Sequence, residues 1–450
     1  MTKMRDDTIY ALSSGLPPSG VALIRISGPR CRFVIETICK SDLVPRQATY
    51  VSFYDPADGS IMDEGLALWF PSPASFTGED VLELHCHGGR AVIDIILQAL
   101  SSLDGLRMAK RGEFTKQAFH NKKMDFVEVE GLADLIASET QMQRRLAQAQ
   151  TRGAVSQIYD GWRDRLVKAR ALIEAELDFP DEDDVPGSVS DGVWNEVSAL
   201  IGEIRCVADQ AVIGERIRDG ISVVLAGAPN AGKSSLLNAL AGRDAAIVSP
   251  KAGTTRDVIE VYLDLNGLPI KLFDTAGLRE SADEVEAIGV SRATEHIKDA
   301  DIVLCLEDIG DLDNGNATAW PEGHDSAATI HLGTKSDLVE KDKINSIRDR
   351  YDLLVSIKTG DGIDAFIKKL EEIAKNLVCD VDSLIAIRSR HQEAIMACLA
   401  YIEESLIEKK PLELRAEDLR LASDALGRVT GRIDVEDMLD VVFREFCIGK

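Results

Sequence analysis

The residues best suited to chemistry lie in one octapeptide, Gly227-Ala228-Pro229-Asn230-Ala231-Gly232-Lys233-Ser234, with the spacing G-x-x-x-x-G-K-S. It follows the strand-like run 221–226 and precedes the helical run 235–241, the context in which such a loop cradles phosphates. Its glycines let backbone N–H groups wrap phosphate oxygens. Lys233 supplies a point charge for the outer phosphates, and the Ser234 hydroxyl is a magnesium ligand type.

Further along, Asp274-Thr275-Ala276-Gly277 ends the strand-like run 270–273, which places a carboxylate where the magnesium shell needs one and a glycine where the backbone can approach the terminal phosphate. A hairpin turn at Asn266-Gly267 leads into that strand. Thr334-Lys335-Ser336-Asp337 resembles the guanine-reading element Asn-Lys-x-Asp, whose aspartate accepts hydrogen bonds from the guanine ring N–H and amine. Thr334 stands where Asn is usual, which shortens one supporting contact, whereas Asp337 keeps the discriminating carboxylate. Ser356-Ile357-Lys358 fits the last base-cradling turn, with Ile357 in place of a small residue. Each short match is weak alone; their order and strand-end placement behind the loop give them weight. Leu278, just after the magnesium motif, cannot orient water. The acidic stretch 280–286 is the nearest supply of such a group, and it reads equally as helix-start charge.

Two other clusters stand out. Glu83, His85 and His87 alternate and would share one strand face, but no further ligand with metal spacing accompanies them. The segment 107–123 collects Arg107, Lys110, Arg111, Lys116, Lys122 and Lys123 around Phe114, Phe119 and His120, a pattern shared by anion-binding surfaces and by ordinary solvated helix faces.

The elements that must position these residues follow from length and patterning. At 450 residues the chain has room for two to four domains. Lys plus Arg number 51 against 76 for Asp plus Glu, a net charge of −25, so any nucleic-acid contact must be local rather than a general phosphate attraction. The start of the chain has no signal-like apolar core, and no run of eighteen apolar residues occurs, which argues against a membrane span. The eight cysteines form no Cys-x-x-Cys pair and suit a reducing cytoplasm. Up to about residue 120 short β-like runs (20–27, 48–54, 66–70, 81–86) alternate with helical ones such as 91–100, the pattern of an α+β domain. From 127 to 177 the period is helical, ending at the acidic, proline-bearing turn 178–184. From 221 to about 378 strands and helices alternate as in a doubly wound sheet, and helical texture returns after 380. An α/β nucleotide domain inserted into a helical domain is the simplest topology.

The motifs above, with Gly253-Thr254-Thr255-Arg256-Asp257, the segments 75–89 (SFTGEDVLELHCHGG) and 111–140, and the terminal Cys447-Ile448-Gly449-Lys450, resemble the MnmE (TrmE) family of tRNA wobble-uridine modification GTPases over nearly the whole chain. The resemblance implies a multidomain chain: a folate-binding and dimerisation α+β domain (1–120), an α-helical domain in two parts (121–216 and 380–450), and an inserted α/β P-loop GTPase domain (217–379). It implies that GTP is held by Asn230, Ala231, Gly232, Lys233, Ser234 and Ser235, by Ser249, Pro250, Lys251, Ala252, Gly253, Thr254 and Thr255, by Asp274, Thr275, Ala276 and Gly277, and by Thr334, Lys335, Asp337, Ser356, Ile357 and Lys358. Ser234 and Thr255 would ligate magnesium, and Asn230, Ser249, Lys251 and Thr254 potassium, the ion standing where an arginine finger would. Glu286 would orient the attacking water, Lys233 would meet the outer phosphates, and Arg256 and Arg279 would be the switch arginines of the catalytic set. Arg25, Glu83, Lys123 and Lys450 would contact 5-formyl- or methylene-tetrahydrofolate, and Cys447 reads either as a reactive thiol or as a docked tail residue. Implied partners are tRNA, a second copy of the chain and an FAD- and NADH-using MnmG (GidA)-type protein in a heterotetramer, all cytoplasmic. The competing reading is a ribosome-assembly or signalling GTPase switch without modification chemistry.

Overall fold

A computed structural model of the chain describes residues 7–178, 189–243, 246–247, 260–274, 300–311, 328–378, 388–433, 442–443, 446 and 449. The chain divides into two compact units, one of Met1–Ala133, Gln150–Arg170 and Arg420–Lys450, the other of Asp134–Ala149 and Ala171–Leu419.

The first unit holds a six-stranded sheet of β1 (Thr8–Leu12), β2 (Ser19–Ser27), β3 (Thr49–Tyr54), β4 (Ile61–Phe70), β5 (Val81–Gly88) and β6 (Leu106–Met108), in the order β3-β4-β5-β2-β1-β6. Only β1 and β6 pair in parallel. The period of two along β2 and β5 sends Ile24, Ile26, Leu82 and Leu84 into a core shared with Val34 of α1 (Cys31–Val34), Ile38 of the π turn that continues it, and Ile96 and Leu100 of α2 (Arg90–Ser101). Arg25, Glu83 and His85 therefore share the opposite, partly exposed face. The strands β1 and β6 are short and carry no alternation of their own, and the sequence pattern did not reveal them.

The helical tract 127–177 is three helices after α3 (Glu113–His120): α4 (Phe126–Ala137), α5 (Gln141–Thr151) and α6 (Ala154–Asp178). Two capping boxes restart the chain. At α4 the Glu128 N–H donates to Asp125 Oδ1 (2.9 Å) and the Asp125 N–H to Glu128 Oε2 (2.7 Å). At α5 the Gln143 N–H donates to Thr140 Oγ1 (3.3 Å) and the Thr140 N–H to Gln143 Oε1 (3.1 Å).

In the second unit the 31-residue α7 (Val189–Asp219) passes through one residue, Gly220 (φ +93°), into a seven-stranded sheet. Its strands are β7 (Ile221–Gly227), β8 (Ala246–Ile247), β9 (Glu260–Leu265), β10 (Leu268–Asp274), β11 (Ile302–Asp308), β12 (Ala328–Thr334) and β13 (Leu353–Leu354), in the order β13-β12-β11-β7-β10-β9-β8. All neighbours are parallel except β10 with β9 and β9 with β8. Strands β7 and β11 read as continuous buried aliphatic runs because both of their faces are covered. Around them lie α8 (Lys233–Ala241), α9 (Lys341–Ile347) and α10 (Ile363–Leu377), the last burying Ile363, Phe366 and Leu370 against the sheet. After the sheet, α11 (Ser389–Ser405) packs along α7, so the sheet is an insertion between two helices that touch. In α12 (Leu412–Val429) the Arg415 guanidinium lies 3.6 Å from the centre of the Trp194 ring on α7.

The entry from α7 is clamped by Asp301. Its carboxylate accepts hydrogen bonds from Arg216 Nε (2.6 Å) and from the Ser222 N–H and Oγ (2.9 and 3.0 Å). Asp301→Ala leaves three donors without their acceptor and should lower stability by about 2–4 kcal/mol. The expected readout is a lower urea midpoint with an unchanged slope; an unchanged midpoint would show the clamp to be energetically silent.

Candidate nucleotide site and its neighbours

In a doubly wound sheet, ligands bind beyond the strand carboxyl ends where the strand order reverses. Here that point is the end of β7, with β10 on one side and β11 on the other. The loop from Gly227 to Ser234 leaves β7 there and enters α8, whose first turn has no side-chain cap. Gly227 (φ +153°) is required by space: a Cβ on it would lie 2.3 Å from the Leu306 carbonyl oxygen. Asn230 and Gly232 also take positive φ, +66° and +94°, which turns the loop back on itself. Lys233 is buried, and its ammonium donates to the carbonyls of Gly227 (2.8 Å) and Ala228 (2.9 Å), across the inside of the loop. Ser234 and Ser235 are exposed on the first turn of α8, a geometry that offers N–H groups, a hydroxyl and the positive end of a helix to an anion. Asp274 ends β10 opposite Leu225 of β7, so its backbone reaches the same rim.

The residues predicted from sequence to form the base site converge from two further loops. Thr334 is fully buried, and its hydroxyl donates to the Ala231 carbonyl of the phosphate loop (2.8 Å), with the Glu307 carbonyl as a second acceptor at 3.1 Å. The shorter side chain therefore still ties the base-reading strand to the phosphate loop. Lys335 has a left-handed backbone (φ +58°) and pairs through Nζ with Asp308 Oδ2 at 2.6 Å. Asp337 lies in the 3₁₀ turn Ser336–Leu338 and accepts from Ser356 Oγ (2.7 Å), so two predicted base-site residues are in direct contact. Ile357 packs on the loop, its Cδ1 lying 3.4 Å from where a Gly232 Cβ would be. Lys358 sits in the turn closed by the Gly360 N–H to Ser356 carbonyl bond (2.9 Å).

In the first unit, β2–β5 pairing sets Arg25 opposite Glu83. Arg25 Nε and Nη2 donate to Glu83 Oε1 at 3.0 and 2.9 Å, and the guanidinium lies between the rings of Phe76 (5.6 Å) and Phe114 (5.8 Å). Glu83 Oε2 is 3.7 Å from His85 Nε2, a buried nitrogen with no hydrogen-bond partner. His87 is instead held by Asp63 at 2.8 Å, so the three alternating residues share a face without converging. Among the described residues no group of three His, Cys, Asp or Glu side chains could hold a metal ion. Lys123 points elsewhere, donating to the Pro73 carbonyl (2.9 Å). Within the basic run, Arg107 pairs with Asp7 and Glu113, and the Lys116 ammonium lies 5.7 Å from the Phe443 ring, so these two are engaged within the unit.

The carboxy-terminal segment is pinned at two points. Val442, Phe443 and Phe446 are buried against Phe126 and Val129. Gly449 (φ +101°) lies against Leu12, and its carbonyl accepts from Ser13 Oγ (2.7 Å). Ser13 was not singled out from sequence, and Phe114, noted only within the basic run, was not linked to Arg25; nothing in the local pattern connects either to its partner. Of the cysteines, Cys31, Cys39, Cys86, Cys305 and Cys398 are buried and free, and burial pushes the Cys39 and Cys398 thiols up to about 12. Ser249, Pro250, Lys251, Ala252, Gly253, Thr254, Thr255, Arg256, Thr275, Ala276, Gly277, Arg279, Glu286, Cys447 and Lys450 lie outside the described residues, as does the side chain of Asp274.

Comparison with known families agrees with this geometry. The family of the MnmE helical domain matches residues 126–447, and that described as the GTP-binding protein TrmE N-terminus matches residues 8–123. The chain belongs to the MnmE (TrmE) family. A relative from Rhizobium etli, the tRNA modification GTPase MnmE, is 50% identical over 448 residues, 99% of this chain and 100% of that protein. Proteins of the same name from Mesorhizobium japonicum and Brucella suis are 51% and 50% identical over 449 and 445 residues, each covering 99% of this chain and 99% and 98% of their own. The two family matches adjoin between 123 and 126, at the capping box that opens α4. No described helix is long and apolar enough to cross a membrane.

A methyl group on Gly449 would come 2.1 Å from the Leu12 carbonyl oxygen. Gly449→Ala should therefore release the carboxy terminus, seen as faster digestion by carboxypeptidase. Digestion at the unaltered rate would mean that the contact does not hold the tail.

Proposed function

We propose that this protein is a GTP-hydrolysing tRNA modification enzyme that, with an FAD-dependent MnmG (GidA)-type partner, adds an aminomethyl or carboxymethylaminomethyl group at carbon 5 of the wobble uridine. The observation that carries the reading is full-length identity of about half to MnmE relatives, together with a phosphate loop whose Ala231 carbonyl is tied to the base-reading Thr334.

In this reading the backbone N–H groups of the loop and Lys233 bind the phosphates. The ammonium exchanges its two loop carbonyls for phosphate oxygens, a stronger, charge-assisted pairing. Asp337 reads the guanine edge. The Ser234 hydroxyl and the strand-end Asp274 supply the hard oxygen donors that magnesium takes, with Thr255 as a further ligand. The exposed Asn230 offers an amide oxygen on a left-handed turn, a donor suited to potassium, with Ser249, Lys251 and Thr254 as its companions. Bound there, those ions would supply charge stabilisation at the phosphates, while Glu286 orients the attacking water and Arg256 and Arg279 act in the switches.

At the second site, the carboxylate of Glu83, the buried His85 Nε2, which makes no hydrogen bond, and the exposed ring of Phe76 suit a heteroaromatic ligand with an amide-like edge. This is the pterin of a tetrahydrofolate, which supplies a one-carbon unit when bound; Lys123 and Lys450 suit its anionic tail. Cys447 is a candidate thiol for the modification step. Potassium-stimulated association of G domains in a homodimer, a cytoplasmic location and NADH as the partner's reductant complete the reading.

The test is direct. A strain lacking the gene should lose the modified wobble nucleoside by mass spectrometry of digested tRNA, and the wild-type copy should restore it. Glu286→Ala should bind GTP with affinity within about threefold of wild type and hydrolyse it roughly 100-fold or more slowly. Hydrolysis in potassium should exceed that in sodium at equal ionic strength. A normal nucleoside profile in the deletion strain overturns the modification assignment, and normal turnover by Glu286→Ala overturns that of the water-orienting group.

A further inference from the structure

Strand β11 is apolar and buried from Ile302 to Leu306, as its place inside a parallel sheet requires, and then buries a carboxylate: Glu307 is 5% exposed. A buried carboxylate is costly unless a donor meets it. The donor is Tyr351, whose hydroxyl gives a 2.5 Å hydrogen bond to Glu307 Oε2. Burial, and then acceptance by Glu307, raise the phenol above its ordinary value, so Tyr351 remains the protonated partner.

This pair lies directly behind the base-reading residues. Glu307 is in register with Gly333, and the Tyr351 ring packs beside Gly333 together with Leu354 and Ile309, since a Cβ there would come 3.3 Å from Tyr351 Cδ2 and closer still to the other two. The next residue, Thr334, donates to Ala231 and has the Glu307 carbonyl as second acceptor. Asp308, beside Glu307, pairs with Lys335. After Tyr351 the chain pairs as β13 with Leu332 and Gly333, the Val355 N–H donates to the Gly333 carbonyl (2.8 Å), and Ser356 then holds Asp337. Tyr351 thus spans β11 and β12 at the point where both release residues toward the base.

We propose that Glu307 and Tyr351 form a positioning pair that fixes the register of the guanine-reading strand ends and so sets the protein's affinity for guanine nucleotides. The proposal rests on the reading that this site binds guanine nucleotides. It concerns neither the phosphates nor the attacking water, and it assigns the buried pair the job of compensating a one-donor Thr334: a single hydroxyl holds the phosphate loop only if its strand cannot slide.

The test uses the full chain and fluorescent mant-GDP. Wild-type binding must be seen first; its absence would sink the nucleotide reading itself. Given binding, Tyr351→Phe should weaken mant-GDP affinity and raise KM for GTP about 3- to 10-fold, with kcat within twofold of wild type. Glu307→Gln keeps an acceptor for the phenol and should retain affinity within about twofold. The double variant Glu307→Leu, Tyr351→Phe removes the orphaned carboxylate and should recover most of the thermal stability while its nucleotide affinity stays low. Affinity unchanged in folded Tyr351→Phe, or affinity that returns along with stability in the double variant, would overturn the proposal.

Discussion

The nucleotide end of the second unit depends on one close approach. Strands β7 and β11 leave the sheet so near each other that the α-carbon of Gly227 has the Leu306 carbonyl against it, with no room for a side chain. That approach lets a loop of eight residues turn back over the strand ends, folds Lys233 inward onto two carbonyls, and brings Ala231 within hydrogen-bond reach of Thr334 on β12. Three strands that are neighbours in space, β7, β11 and β12, are joined there by one hydroxyl. A wider spacing at Gly227 would move the loop 227–234 away from Thr334 of β12, and neither would then place the other.

Much of this was legible in the sequence, for a physical reason. Residues whose role is set by backbone geometry or fixed chemistry announce themselves by type: Gly227, Gly232, Lys233 and Ser234 in one loop, Asn266-Gly267 in a hairpin, Asp337 three residues after Thr334. The period of two in β5 is enough by itself to put Glu83, His85 and His87 on one face. It could not show that Asp63 draws His87 away from Glu83, because Asp63 comes from a different strand with its own pattern. The helical tract 127–177 concealed the restarts at α5 and α6. For α5 the signal was present in T-x-x-Q at Thr140, but helical periodicity on either side outweighed it. Glu307 was not singled out from sequence, although it follows the aliphatic run 302–306. Its meaning depended on Tyr351, forty-four residues on, which no local pattern connects to it.

The thiols illustrate the same limit. The sequence holds no Cys-x-x-Cys motif, but burial decides reactivity. Cys39, Cys86, Cys305 and Cys398 lie in aliphatic surroundings that raise them to about 11 or 12, so they pack as small apolar groups rather than act as nucleophiles.

An inserted sheet has a problem that a terminal domain lacks: two chain crossings must be fixed with only a small apolar cluster, Leu146 and Ile217 with Met142, Ile213 and Val378 packed on it. Here the fixing is ionic and partly buried. Asp301 collects Arg216 and both donors of Ser222 beside the single-residue link at Gly220, while Asp134 accepts from Arg218 at the end of α7 (3.4 Å) and from Arg388 just before α11 (2.8 Å). Such pairs add little net stability, because desolvation offsets much of the Coulomb attraction. Their value lies in direction. A patch of aliphatic contact tolerates sliding by a few ångströms, whereas a carboxylate shared between two or three fixed donors accepts only one arrangement. The apolar contacts at the same place, Leu146 with Ile217, then lie in a register that the charges have already chosen. A sheet entered through one glycine keeps its orientation to α7 because its polar groups leave it no second way to be satisfied.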